Sequence, residues 1–388
     1  MKDILSIARL PARDPQEPHR AATQLELFFD LISVVAIASV TAGLHHAISE
    51  GHGLEKLPVF IFLFFAIWWA WMNFTWFASA FDNGRPVFRM LVMIIMTGEV
   101  IFAGGAAHIF ETLDLGWGVA GWTLMRLAMA ALWLRASANT DYRATALRYA
   151  AGIIIGQAYW IGFYFLVPAE PALFFGFGVF GFVLELAVPP IAERAGRTPF
   201  HRHHMIERYG LLMIIILGEI ILAISMGFGG LYDEHANLAA IPTTLSGLII
   251  VFALFWIYFC EDEHLPSSDF KTAFVWGYGH IFVFAAVAIL GAAIAAELDL
   301  STDHSHVTQA VISWWFGAPL ALFFLALWLV RDRHFKLDRR AWSLPAGVVL
   351  SLAAASAGLA SWAFAAIVFL TVLWRAPMSA SAPAHRPE

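Results

Sequence analysis

Charge and cysteine are both scarce in this 388-residue sequence. Lys, Arg, Asp and Glu make up 13% of the residues, whereas a soluble domain contains about 25%. The single cysteine, Cys260, excludes an internal disulfide and any Cys-x-x-Cys metal site. The net charge of −6, without a basic cluster, argues against a nucleic-acid partner.

Sequence motifs of enzymes are missing as well. The chain contains no phosphate-binding loop, nucleophile elbow or His-Glu-x-x-His motif. Its longest polar loops are too short to hold a cytoplasmic catalytic domain. We therefore expect a protein that is not an enzyme and that uses neither a metal nor another cofactor.

Apolar residues dominate instead. They make up 60% of the chain, which includes 34 Phe and 16 Trp, and the mean hydropathy is +0.72. The runs 57–70 and 211–217 contain no charged residue. This composition predicts an all-α, polytopic integral membrane protein whose main partner is the lipid bilayer.

About 20 apolar residues are needed for a helix to cross a bilayer, and this length predicts twelve spans. They are 26–48, 57–80, 86–110, 115–135, 145–167, 171–190, 205–228, 240–260, 272–296, 307–330, 343–357 and 359–375. The last two are interpreted as a pair of spans joined by a tight hairpin at Ser356–Gly358.

The positions of the basic residues predict the orientation. Of the 23 Lys and Arg residues, 21 lie in the two tails, in the loops after the even-numbered spans, or at the span ends next to those tails and loops. Because basic residues concentrate in cytoplasmic loops, both the N-terminal tail, 1–25, and the C-terminal tail, 376–388, are expected to be cytoplasmic.

Two similar halves, 1–190 and 191–388, are also predicted. Span 1 begins with the sequence Glu26–Leu31 and span 7 with Glu207–Leu212, and both place an aromatic residue two positions after the Glu and Leu at the sixth position. Two six-helix halves of equal orientation are related by an axis along the membrane normal. The oligomeric state stays open, with a homo-oligomer as one alternative.

Three segments carry a resemblance to a known family. They are Glu26–Leu31, the aromatic stretch Trp68–Asp82, and Glu207–Gly210 continuing to Ile216–Glu219. In combination, and over nearly all of the chain, the sequence resembles the low temperature requirement A (LtrA) family of bacterial membrane proteins. The resemblance implies a multi-pass protein of the inner membrane and names no substrate.

One face of span 1 carries a row of polar side chains. Glu26, Asp30, Ser33, Thr41 and His45 share a face of the helix, because a helix turns by about 100° per residue. We interpret this row as the wall of a substrate or ion pathway. The alternative is that Glu26 and Asp30 stabilise the N-terminus of the helix, where the helix dipole favours acids.

Three charged residues are predicted near the bilayer centre: Glu99 in span 3, Arg126 in span 4 and Glu219 in span 7. Their depth suggests a proton- or cation-binding centre in which Arg126 faces one of the two acids. The alternative is a structural Glu–Arg pair and a neutral Glu. Glu185 in span 6 and His280 in span 9 could extend the pathway or be satisfied interior residues.

The favoured function is a secondary transporter, proton- or cation-coupled, that carries a small solute or ion. An ion channel of two six-helix repeats is the alternative, because Phe28–Asp30 is similar to the Phe-Ser-Asp signature of two-repeat potassium channels. A membrane-embedded lipid enzyme is a third alternative, suggested only by the histidines at 201, 203 and 204.

The orientation can be tested by cysteine labelling. In a Cys260→Ser background, the variant Arg197→Cys is expected to be inaccessible to a membrane-impermeant maleimide added outside intact cells, because the loop after span 6 is predicted to be cytoplasmic. Permeabilised cells serve as the positive control. Labelling in intact cells would contradict the predicted topology.

Overall fold

The computed structural model describes residues 10–18, 20–138, 141–229, 238, 240–261, 265, 270–302, 304–334 and 338–376. The first nine residues and 377–388 of the predicted tails lie outside this description. The described residues form α-helices, short 3₁₀ turns and connections, without a β-strand. The α-helices are α1 (Gln24–Ser49), α2 (Gly53–Phe81), α3 (Pro86–Gly104), α4 (Ala106–Thr112), α5 (Gly116–Ala136), α6 (Arg143–Leu166), α7 (Pro171–Ala192), α8 (Arg202–Gly229), α9 (Ala240–Phe259), α10 (Phe270–Ser301), α11 (Gln309–Val330), α12 (Ser343–Ser356) and α13 (Ser361–Arg375).

Ten of these helices are long and apolar enough to cross a membrane, namely α1–α3 and α5–α11. The predicted all-α, multi-spanning fold is therefore confirmed. The predicted division into halves at residue 190 stays a prediction.

The predicted third span, 86–110, was wrong in its last turns. The helix ends at Gly104, and a separate short helix, α4, begins at Ala106. At the break the Gly105 N–H bonds to the carbonyl oxygen of Phe102, three residues back, instead of continuing the α-helical pattern. A Cβ atom on Gly105 would lie 2.9 Å from the Cβ of Trp117, so close contact with α5 favours glycine here.

The most deeply buried helices are α2 and α10. In their apolar 18-residue stretches, 72% and 78% of the residues are buried. Between them, α1 packs against α2, α3, α8 and α10. Helix α1 thus contacts helices from both predicted halves. We call the end of the bundle where α1 begins and α2 ends the arginine-rich end, because Arg13, Arg20 and Arg208 lie there.

The chain reverses at the predicted hairpin, where Gly358 adopts a φ of +67°. Helices α12 and α13 contain 14 and 15 residues, which corresponds to about 21 and 22 Å. Near the hairpin, the Ser361 N–H bonds to Glu297 on α10 at 3.1 Å. At the other end Arg375 donates to Ser343 at 3.0 Å, so the two helices run side by side over the same distance.

A buried ionic cluster fixes the end of α13. Arg375 Nη1 lies 2.6 Å from Asp332 Oδ2, and its Nη2 lies 3.1 Å from Glu261 Oε1. Arg331 Nε lies 2.7 Å from the other oxygen of Asp332 and its Nη1 donates to the Tyr258 carbonyl at 2.8 Å. These contacts join the ends of α9, α11 and α13.

Candidate functional site

The polar face of α1 begins at a capped helix terminus. Thr23 precedes the helix, and its hydroxyl accepts a hydrogen bond from the Glu26 N–H at 3.3 Å. The Glu26 carboxylate accepts one in return from the Thr23 N–H at 2.7 Å. This capping box fixes the start of α1 and explains one role of Glu26, but it uses only one of the two carboxylate oxygens.

The other oxygen of Glu26 belongs to a buried ionic cluster with α8. Glu26 Oε1 lies 3.1 Å from Arg208 Nη1 and 2.9 Å from His204 Nε2. Arg208 Nη2 lies 2.5 Å from Asp30 Oδ1. All four side chains are completely buried. We call Glu26, Asp30, His204 and Arg208 the Arg208 cluster.

Helix α2 supplies the neutral wall of this cluster. The Trp71 indole N–H donates to Asp30 Oδ1 at 2.6 Å, and Arg208 donates to the Thr75 hydroxyl at 3.3 Å. The Arg208 guanidinium lies 5.9 Å from the centre of the Phe74 ring. Trp71 and Arg208 therefore both donate to Oδ1 of Asp30. The buried Oδ2 of Asp30 has no hydrogen-bond partner among the described residues.

One turn deeper, the polar face of α1 contacts α3. The Ser33 hydroxyl donates to Glu99 Oε2 at 2.9 Å, and both side chains are completely buried. Glu99 Oε1 has no hydrogen-bond partner within the described part of the chain. We call Glu26, Asp30, Ser33 and Glu99 the polar row. The structure thus brings together four of the residues that the sequence singled out.

At the far end of α1 the predicted row reaches α10. His45 Nε2 lies 2.7 Å from Asp299 Oδ2, and the Ser49 hydroxyl donates to the same oxygen at 2.6 Å. Between the two ends, the buried Thr41 hydroxyl has no partner among the residues described.

The N-terminal segment, described over residues 10–18 and 20–22, covers the Arg208 cluster. Arg20 reaches inward to Glu26 at 3.4 Å and to Asp82 at 4.0 Å. The Arg13 N–H bonds to the carbonyl oxygen at the end of α2 at 2.8 Å. The Glu17 carbonyl lies 2.8 Å from His201 Nε2. The segment is thus tied to α1, α2 and the start of α8.

Two acids outside the spans have shifted pKa values. Burial raises the pKa of Asp82 above its ordinary value, although the hydrogen bond from the Gly84 N–H opposes this shift. The hydrogen bond from Arg13 lowers the pKa of Glu17. The charged form of Glu17 therefore favours the pairing that holds the N-terminal segment together.

Arg126 does not face Glu99 or Glu219, so the expected pairing was wrong. Its guanidinium pairs with Glu185 on α7, and the Trp69 indole N–H donates to the same carboxylate at 3.1 Å. Helices α5 and α7 bring these residues together away from α1. The position of a residue in a span predicts its depth in the bilayer but not the direction of its side chain. The structure shows that the Arg126 side chain points towards α7.

Glu219 and His280 lie apart from the polar row. Glu219 is partly exposed on α8, and no hydrogen bond within the described chain joins it to Glu99 or Arg126. His280 is buried on α10, with Nδ1 2.8 Å from the Trp276 carbonyl oxygen. That contact requires a proton on Nδ1 and is typical of a satisfied interior histidine.

The sequence did not single out Arg20 and Arg208, which were counted among the loop charges. Arg20 lies 6 positions and Arg208 lies 182 positions from Glu26 in the sequence. Helical spacing therefore did not indicate that either residue contacts Glu26. Of the three histidines that suggested the lipid-enzyme alternative, His201 and His204 contact different partners. No group of three or more potential ligands is arranged for a metal ion among the residues described.

Comparison with known proteins agrees with this architecture. The family described as bacterial low temperature requirement A protein (LtrA) matches residues 21–376. The chain belongs to the LtrA family. A curated relative, the uncharacterized protein RA0937 of Rhizobium meliloti (strain 1021), is 25% identical over 329 residues, which cover 79% of this chain and 76% of the relative.

In this LtrA-family protein the matched range includes the polar row and Arg208 and ends just after Arg375. It begins at residue 21 and therefore excludes Arg20 and most of the N-terminal segment. The family match thus covers the bundle itself, and the segment that covers the Arg208 cluster lies at its boundary.

The Arg126–Glu185 pair is expected to be structural. Arg126→Met should lower the free energy of unfolding by about 3–5 kcal/mol, because it leaves the Glu185 carboxylate buried without its partner. Thermal unfolding in detergent measures the effect. The double variant Arg126→Met/Glu185→Leu is the control and should recover most of the lost stability. Equal melting temperatures for the single and double variants would contradict this assignment.

Proposed function

We propose that this protein is a secondary transporter that couples a proton or another small cation to the movement of a small solute. Its ion pathway follows the polar row from the arginine-rich end to Glu99. The observation that carries the proposal is this row of completely buried polar side chains, because ionisable side chains within membrane spans are costly and usually functional. Helix capping accounts for Glu26 but not for Ser33 or Glu99.

Glu99 has the surroundings of a carboxyl group that binds a proton reversibly. Its side chain is completely buried, and its only hydrogen bond within the described chain comes from the neutral Ser33 hydroxyl. A buried carboxylate without a positive partner is costly, so Glu99 is stable when it carries the proton. It becomes stable as an anion when a cation replaces that proton.

Asp30 connects this exchange to the Arg208 cluster. It lies three residues before Ser33, which donates to Glu99, and Asp30 and Glu99 each have one carboxylate oxygen without a hydrogen bond in the described structure. A cation held between these two oxygens would compete with Arg208 for Asp30. Binding of the coupling ion would thereby loosen the contact between α1 and α8.

The N-terminal segment acts as the gate at the arginine-rich end. Arg20 is 5% exposed and lies against Glu26, so the segment separates the polar row from the solution. A transporter must open its site to one side at a time. Release of Arg20 from Glu26 and Asp82 is the smallest movement that exposes the row.

We further propose the twelve-span arrangement in the bacterial inner membrane, with both termini in the cytoplasm. Helices α12 and α13 form the last two spans, since Ser313 near the start of α11 donates to the Ala354 carbonyl of α12 and Asp332, just after α11, accepts from Arg375 at the end of α13. Their length of about 21–22 Å is below the bilayer thickness of about 30 Å and requires local thinning of the membrane. The two predicted halves then contain six spans each.

Two isosteric substitutions test the pathway. Asp30→Asn and Glu99→Gln should reduce cation-driven proton flux to the level of protein-free liposomes, because each removes an exchangeable carboxylate and keeps the shape of the side chain. The assay uses reconstituted protein, a trapped pH-sensitive dye and an imposed Na⁺ or K⁺ gradient.

Glu219→Gln is the matched control, since it makes the same change in a span outside the polar row. It should retain the flux. Wild-type flux in both Asp30→Asn and Glu99→Gln would assign the row to structure. If cations crossed the membrane without an opposite movement of protons, and if Glu99→Gln did not change that cation flux, the result would favour a channel.

Removal of the Arg20 side chain should open the gate. In a Cys260→Ser/Ser33→Cys background, Arg20→Ala should increase the rate at which a water-soluble maleimide modifies the cysteine several-fold, because the contact with Glu26 is lost. Arg85→Ala is the control, since Arg85 is exposed at the same end. Equal rates with and without Arg20 would exclude the segment as the gate.

A further inference from the structure

A cavity separate from the polar row lies between α2, α5, α6, α7 and α10. The centre of a water-sized sphere can occupy about 50 Å³ of it. Six aromatic side chains line it: Trp76, Trp133, Tyr149, Phe200, Phe274 and Tyr278.

The aromatic rings form a rigid wall. Trp133 and Tyr149 stack with ring centres 3.9 Å apart and planes inclined by 6°. Phe274 and Tyr278 stack at 3.8 Å. The face of an aromatic ring is electronegative and its edge is electropositive, so each ring that turns a face to the cavity attracts a cation.

A buried carboxylate completes the wall. Glu193 lines the same cavity and is 8% exposed. Its position is fixed by hydrogen bonds from the Tyr149 hydroxyl at 2.9 Å and from the Thr198 hydroxyl at 2.7 Å and N–H at 2.9 Å. These three donors are neutral, and the positive charge of Arg197 also acts on the carboxylate. The carboxylate makes the cavity more favourable for a cation than for an anion.

Two buried polar groups of the lining are available to a ligand. The Tyr278 hydroxyl and the Trp133 indole N–H have no hydrogen-bond partner among the described residues, and Trp133 is only 4% exposed. A buried polar group left unpaired costs about 1–3 kcal/mol. A ligand N–H or O–H would satisfy the Tyr278 oxygen, whereas the Trp133 N–H requires an acceptor, such as the hydroxyl oxygen of an amino alcohol.

We propose that this cavity is a binding site for a small organic cation, namely a protonated amine or a quaternary ammonium group. The aromatic faces bind the cationic head by cation–π contact, and Glu193 supplies the opposite charge. The Tyr278 hydroxyl accepts a hydrogen bond when the cation carries an N–H. The site does not depend on the polar row, so it stands whether or not the protein is a transporter.

The charge requirement is tested on the purified full-length protein in detergent by isothermal titration. Choline is the cationic probe, and 3,3-dimethylbutan-1-ol, which has the same shape without the charge, is the control. Choline should bind saturably and at least about tenfold more tightly than the neutral analogue. Similar affinities for the two, or no saturable binding of choline, would overturn the proposal.

The residues are tested by two variants. Glu193→Gln should weaken choline binding about tenfold, while wild-type elution in size-exclusion chromatography shows that it folds. If it does not fold, the comparison of choline with its neutral analogue still decides the charge requirement. Tyr278→Phe should weaken the binding of trimethylammonium, which has an N–H, and leave the affinity for tetramethylammonium unchanged. Unchanged choline affinity in folded Glu193→Gln, or equal loss of both ammonium ions in Tyr278→Phe, would contradict the assigned contacts.

Discussion

The buried guanidinium of Arg208 holds two carboxylates of another helix, and the architecture of the arginine-rich end depends on that contact. Glu26 and Asp30 are both completely buried, and two unpaired carboxylates at this depth would be strongly unfavourable. Because Arg208 belongs to α8, helix α1 must pack against the second predicted half. The N-terminal segment can then close over the cluster through Arg20. Arg208 thus holds α1 against α8, and Arg20 closes the same end of the bundle.

Much of the helical framework could be predicted from the sequence. Apolar length gave the ten long helices to within a few residues, because a bilayer fixes how long such helices must be. The period of the helix placed Glu26, Asp30 and Ser33 on one face, and the structure keeps them together. The hairpin near Gly358 was also predictable, since a residue with a positive φ favours glycine.

The partners across helices could not be predicted in the same way. Arg126 was expected to meet Glu99 or Glu219 and instead meets Glu185, because depth along a span does not define the direction of a side chain. Arg208 was counted as a loop charge, since it lies only six positions after the start of α8. The break at Gly105 depends on contact with α5, which a single-helix pattern does not contain.

The position of Arg375 also has a consequence for how the protein is made. Its guanidinium lies between Asp332 and Glu261, two acids that precede it by 43 and 114 positions. Until α13 has been synthesised, Asp332 has Arg331 beside it but lacks its second cation, and Glu261 lacks its contact with Arg375. The contacts that join α13 to the ends of α9 and α11 are therefore among the last tertiary contacts that the chain can form.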